Sequence, residues 1–370
     1  MYPHGFVSGN HDIGDNPLKQ QIRKTLALGA GALCLAGGSV AHADTEVEIH
    51  GIIDVYGGAE NPVGEDEWTG KLSSGGKDTS YWGISARHQV NDGLAVVGAL
   101  EAFLRPDRGD AGRFDGDVFF ARNANVGVET EYGTVRGGRV TAPLFLPMVF
   151  TNPFGGSFEF SPANYHTYAG GPNAPLVGDS GWSDTVQYTS PDLNGVTINV
   201  LYGFGNNEED DSRGDDRIGA YAVYRDGAFT GTAAAHAVDY ALDAAGVEDG
   251  GTQYAALLGG MYDFGTFQLY GQYQHIDNDL DVDDFAINSV TVGASVDAGP
   301  GQVLASYAYA DASRFGENDY EDGGDRHTWA VGYELPLGDM ATAYATYFMD
   351  DIDDASDSGH NVGTGVQLRF

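Results

Sequence analysis

After residue 43 this chain breaks into sixteen segments of roughly ten residues, each alternating apolar and polar side chains. A period of two places successive side chains on opposite faces of a β-strand, so each segment reads as a strand between two different surroundings. The first is VEIHGIIDVYGG (47–58) and the last NVGTGVQLRF (361–370). Tight turns such as NDG (91–93), TEYG (130–133) and DFG (263–265) alternate with longer polar connections. An even number of strands, with short turns at one end and long loops at the other, predicts a closed barrel between two aqueous compartments. Sixteen antiparallel strands leave an aqueous channel. No run of about 18 apolar residues follows position 43, so strands rather than a helix must cross any membrane. No composition break divides residues 44–370, which read as one all-β barrel domain.

The N-terminus reads as a targeting segment. KQQIRK (19–24) is a basic region, TLALGAGALCLAGGSV (25–40) a short apolar one, and AHA (41–43) a small-x-small cleavage site. Cleavage after Ala43 is expected, with a start near Leu18 as the alternative translation start. Cys34, the single cysteine, leaves with this segment, so no disulfide is available to residues 44–370. The chain carries 54 acidic residues against 18 lysines and arginines, a net charge of −36. That charge argues against a nucleic-acid partner, whose phosphates need a basic surface. It suits solubility in high salt or attraction of cations.

The two faces of the segments differ. Phe267, Leu269 and Tyr273 oppose Gln268, Tyr270, Gln272 and Gln274; Val196, Ile198, Val200 and Tyr202 oppose Thr197, Asn199 and Leu201. One face suits lipid and the other a watery lumen. Tyr202, Tyr309, Tyr347 and Phe370 stand at strand ends, where interfacial aromatic girdles form. The closing strand should pair with the first, Val366, Leu368 and Phe370 facing lipid and Gln367 and Arg369 the lumen.

Several stretches, in order along the chain, resemble the general bacterial porin family. They are VEIHGIIDVYGG, SYWGISARHQVNDGLAVVGALEAF (80–103), ARNANVGVETEYGTVRGGRVTAPLF (121–145), NPFGGSF (152–158) and SDTVQYTSPDLNGVTINVLYGFG (183–205), with a terminal Phe370. The resemblance implies a homotrimeric 16-stranded barrel in the outer membrane of a Gram-negative bacterium. It also implies a long third loop folded into the pore. The 42 residues of 141–182 fit that loop, a length beyond ordinary connections. By position, Arg122 and Arg139 match the family's wall arginines and Glu101 a wall glutamate, while Glu159 is the only acid between Val140 and Asp179. Tyr81 and Ser183 stand where many members carry a basic residue, so the basic ladder reads as thinned. Arg136, three residues from Arg139, is expected to face outward. The resemblance also makes Phe370 the signal read by the barrel-insertion machinery.

The expected function is a water-filled channel for passive diffusion of ions and small hydrophilic solutes, with cation preference. The alternative is a solute-specific channel, for a sugar or another small solute, with an aromatic track on the third loop at Phe158, Tyr165 and Tyr168. No enzyme is expected. GDSGW (178–182) and TAAAH (232–236) mimic serine-protease segments, but in the wrong chain order. No cofactor is expected, and the histidines show no metal-ligand spacing. The acid-rich stretches 208–216 and 277–284 lack calcium-loop register. They read as solvated loops, with loose binding of divalent cations as the alternative. The expected partners are outer-membrane lipid, lipopolysaccharide, two further copies of the chain and the solutes.

Overall fold

The computed structural model describes residues 45–169, 176, 178–205, 216–240, 251–280, 285–312, 325–353 and 355–370. The expected targeting segment with its expected cleavage point, and most of the acid-rich stretches, lie outside these residues. Among the described residues the first nine strands are β1 (Thr45–Asn61), β2 (Thr69–Ser74), β3 (Tyr81–Asn91), β4 (Leu94–Arg105), β5 (Asp110–Ala111), β6 (Asn123–Thr130), β7 (Gly133–Thr141), β8 (Gly181–Thr189) and β9 (Val196–Gly203). Nine more follow: β10 (Arg217–Asp226), β11 (Phe229–Tyr240), β12 (Gly251–Asp263), β13 (Phe267–Leu280), β14 (Phe285–Ala298), β15 (Gly301–Ala312), β16 (Arg326–Pro336), β17 (Ala341–Ile352) and β18 (Gly359–Arg369). Sixteen of them form one closed antiparallel wall. The other two, β2 and β5, are short excursions within the first two long loops.

Closure comes from β1 and β18, which pair from Ile52 with Arg369 to Asn61 with His360. Beyond the last strand, Gly51 and Phe370 exchange two backbone hydrogen bonds of 2.9 and 3.1 Å. A closed wall leaves no row of unpaired backbone groups in lipid. The long β1 serves two partners on its other side. Its first half pairs with β3 and its second half with β2.

The alternation sorts the faces as the sequence predicts. Val366, Leu368 and Phe370 are exposed on the outside, while Gln367 is 1% exposed and turned inward. Tyr262, Phe264 and Phe267 gather outside the wall by the short turns, with Phe264 and Phe267 stacked at 4.5 Å. Tyr307, Trp329 and Tyr347 cluster near the long-loop rim of the same outer surface. One expected girdle member departs: Tyr202 is covered, with Phe204 edge-on at 5.0 Å. The acid-rich stretch from 277 also departs, because Asp277–Leu280 continue β13.

The first loop bends inward around one buried carboxylate. Asp54 accepts from the backbone amides of Gly76, Lys77 and Asp78 and from the hydroxyl of Tyr344 at 2.6 Å. Three amides aimed at one carboxylate satisfy a charge that could not otherwise sit at a fully buried position. The returning segment carries Lys77 to Glu334 of β16, three strands from β1.

Candidate pore constriction

The described part of the segment between β7 and β8, mainly residues 142–169, folds into the lumen. Its first element is the short helix α1 (Phe145–Phe150), and Asn152 then organises a turn. The Asn152 amide donates to Met148 O and Gly155 O, while its carbonyl accepts from Phe154 N and the Ser161 hydroxyl. Ser161 also caps the single turn α2 (Pro162–Asn164), which runs into a π-helical turn, Tyr165–Ala169. A loop tied by its own side chains can hold one shape without strand partners.

Loop and wall meet at glycines. A Cβ placed on Gly219 of β10 would lie 2.4 Å from Pro143, and one on Gly259 of β12 would lie 2.4 Å from Thr151 Oγ1. Gly293 of β14 faces Pro153, Gly332 of β16 faces Phe154, and Gly363 of β18 faces Phe160. Alternate strands around half the wall thus give up their side chains where the loop rests. Apolar packing completes the seat. Leu144 and Met148 join Leu201, Leu257 and Ile276 of the wall, while Phe154 and Phe160 join Tyr56, Leu304, Tyr344 and Phe348.

Many inward polar residues hold the loop rather than water. Gln272 accepts from Thr151, Gln274 accepts from Thr167 at 2.9 Å, and His166 sits between Ser289 and Thr328. Beneath the π-turn, Arg326 and Asp350 form a two-bond pair of 2.8 and 2.7 Å, and Tyr165 covers the guanidinium at 4.5 Å. Tyr165 also lies edge-on to Phe348 at 5.0 Å, packed into the wall.

On the opposite side the loop borders a cavity of about 1290 Å³, lined also by the first two long loops and by residues of β2, β4, β6, β7, β8, β10 and β11. Arg139, Glu159, Phe158 and Tyr168 lie on its wall. Glu159 accepts from Tyr56 at 2.7 Å, Lys71 at 3.0 Å and Asn361 at 3.1 Å, and Lys71 also pairs with Glu60. Asp179, near the loop's end, takes Arg139 on one side and Arg113 of the second loop on the other. Arg113 also pairs with Asp117. Burial raises the Asp179 carboxyl, but Arg113 and Arg139 outweigh it and hold the group below the usual carboxylate range. Glu101 and Arg122 are not among the residues lining this cavity; they form a separate pair, joined by Asn123 and by His50 at 2.9 Å.

The ladder is fuller than the sequence reading implied. Arg122 stacks on Tyr81 at 3.9 Å, and Ser183 receives bonds from both Arg139 and Arg217. Arginines from one or two strands away therefore bring guanidinium groups to the two positions that lack their own. Arg113 was not foreseen, because nothing in its sequence neighbourhood places the second loop against the third. Around the cavity five arginines (105, 108, 113, 139 and 217) meet five acids (Asp107, Asp117, Glu159, Asp179 and Asp184).

Arg136 corrects the outward expectation. It shares an inner pocket with Glu46, Glu48 and Arg87. Val135, next to it, is 42% exposed on the outside. Gly138 has φ of 127°, and the pairing with β8 shifts register between Gly138 and Val140. The alternation breaks there, so Arg136 and Arg139 both reach the lumen.

A family model described as Gram-negative porin matches residues 29–355. A monosaccharide porin from Halomonas sp is 26% identical over 384 residues, covering 94% of this chain and all of that one. A major outer membrane protein from Halomonas elongata matches with the same identity and coverage. Among solved structures, an anion-selective porin from Comamonas acidovorans shares the fold with a TM-score of 0.75 and 21% identity, over 88% of this chain and all of that one. The trimer form of OmpT, an outer membrane protein of Vibrio cholerae, gives a TM-score of 0.66 at 19% identity, over 88% of this chain and 99% of that one. This chain belongs to the Gram-negative porin family and is a channel protein of the outer membrane rather than an enzyme.

Proposed function

We propose that this porin passes ions and small hydrophilic solutes by diffusion, as a homotrimer, with a cation preference that fades as salt rises. The observation that carries this reading is the cavity beside the third loop, where arginines are matched by acids. Arg105, Arg113 and Arg139 on its wall each pair with a carboxylate, as Arg122 does with Glu101 elsewhere, so the constriction presents little net field of its own. The excess negative charge of the chain then acts mainly from outside the constriction, where salt screens it.

A second reading has one specific support. Phe158 and Tyr168, with ring centroids 6.3 Å apart, lie on the cavity wall with Arg113 and Asp179. Aromatic faces beside charged hydrogen-bonding groups suit a pyranose ring, and one relative is named for monosaccharides. Tyr165, packed against Phe348, would not join that track. Planar-bilayer recording separates the two readings. Current that stays linear as monosaccharides are added supports diffusion, whereas saturable block by one sugar supports a binding channel. A reversal potential reporting anion preference at low salt overturns the cation reading.

A further inference from the structure

We propose that the loop-side rim of the barrel carries a divalent transition-metal site formed by Asp325, His327 and Asp353. One ligand atom from each residue lies within 4.8 Å of the other two. The backbone dictates this grouping. Between Asp325 and His327, Arg326 turns inward to its buried pair with Asp350, so its two neighbours project outward together. On the adjacent strand Ile352 pairs with Arg326, and Asp353 follows it directly. The Asp353 amide donates to Asp325 O at 2.9 Å, which fixes the third ligand across the strand pair.

Two tyrosines of β15 orient the ligands. Tyr309 donates to Asp325 Oδ2 at 2.8 Å. Tyr307 Oη lies 2.7 Å from His327 Nδ1, so the phenol oxygen can accept the Nδ1 proton while Nε2 turns to an ion. A ligand histidine held through its other nitrogen, and a carboxylate held by a hydroxyl, are the usual supports of a metal centre. One imidazole with two carboxylates suits a borderline ion such as Zn²⁺, whereas Ca²⁺ and Mg²⁺ favour sites made wholly of oxygen. Three protein ligands leave a fourth position open to water or an anionic oxygen. An ion here would join the connection entering β16 to the one leaving β17. Histidine spacing along the sequence could not reveal the site, because its ligands come from two strands.

The test is calorimetric titration of Zn²⁺ into the chelator-treated full barrel at 0.3 M salt, with Co²⁺ absorption as a second readout. One Zn²⁺ per chain, competed by Co²⁺ but not by Ca²⁺, is expected. Asp353→Asn, at an exposed position, and His327→Gln should each weaken binding by at least about tenfold, and Tyr307→Phe by about tenfold or more. Binding that all three variants retain would show adventitious capture by surface carboxylates and overturn the site. Absence of any stoichiometric binding would overturn it equally.

Discussion

Replacing Asp179 with asparagine removes one negative charge from the cavity wall while leaving its arginines partnered. Arg113 keeps Asp117, and Arg139 keeps the Ala121 carbonyl and the Ser183 hydroxyl. A sphere with the cavity's volume has a radius of about 7 Å, which sets the distance from the wall to an ion at its centre. At that distance one unit charge in water is worth about 0.6 kcal/mol. Loss of the charge disfavours a cation and favours an anion by that amount each, so the unscreened ratio of their permeabilities falls about sevenfold. At 0.1 M salt the screening length of about 10 Å cuts the energy to about half, leaving about a threefold fall. At 1 M, with a screening length of about 3 Å, the change should nearly vanish. Reversal potentials across a tenfold KCl gradient, measured at several mean concentrations, read this ratio directly. An unchanged ratio at 0.1 M, or one equally large at 1 M, would refute the placement of Asp179 on the conduction path.

Asp350→Asn should destabilise the barrel by about 3–5 kcal/mol in urea unfolding, because it strands the buried Arg326 cation; a loss below about 1 kcal/mol contradicts the clamp. Gly259→Val would drive a side chain into Thr151 and unseat α1, so open-channel noise and conductance should change while the trimer still assembles; wild-type traces would argue against the glycine seat. The depressed Asp179 carboxyl contributes stability that is present above its ordinary pKa of about 4 and is lost only as pH falls through the lower folded value. Channel noise should therefore stay flat from pH 7 to about 4 and rise below; a rise already at pH 5.5 contradicts the pairing. Deleting Phe370 removes two backbone hydrogen bonds to Gly51 and the expected insertion signal, so the yield of assembled trimer should collapse; normal yield would show that the terminal aromatic is dispensable.

The wall was legible because lipid outside and polar groups inside write a period of two into every strand. Val366 and Gln367, adjacent in sequence, are 51% and 1% exposed. Strand order followed from the alternation of short turns and long loops. The inner surface was misread in part for the same reason. Gln272, Gln274 and Thr328 look like water-facing residues, yet they bond to the third loop. Likewise Leu201 and Ile276 face inward but are covered by it. A pattern reports polarity, not which partner meets it. The interior glycines were the available signal: Gly219, Gly259, Gly293, Gly332 and Gly363 weaken their strands, which is tolerable where another backbone must approach. Arg136 failed for a local reason, since a glycine at positive φ breaks the count on which facing depends. Arg113 and Asp179 are 66 residues apart, and their pairing appears only in three dimensions.

The most direct test is the single-channel conductance of the purified, folded protein in planar bilayers over a range of KCl concentrations. A lumen filled with water and narrowed by the third loop should give discrete openings in groups of three, with conductance rising in near proportion to bulk conductivity. Insertion without steps above the bilayer baseline would contradict an open channel and leave the barrel a structural or adhesive one.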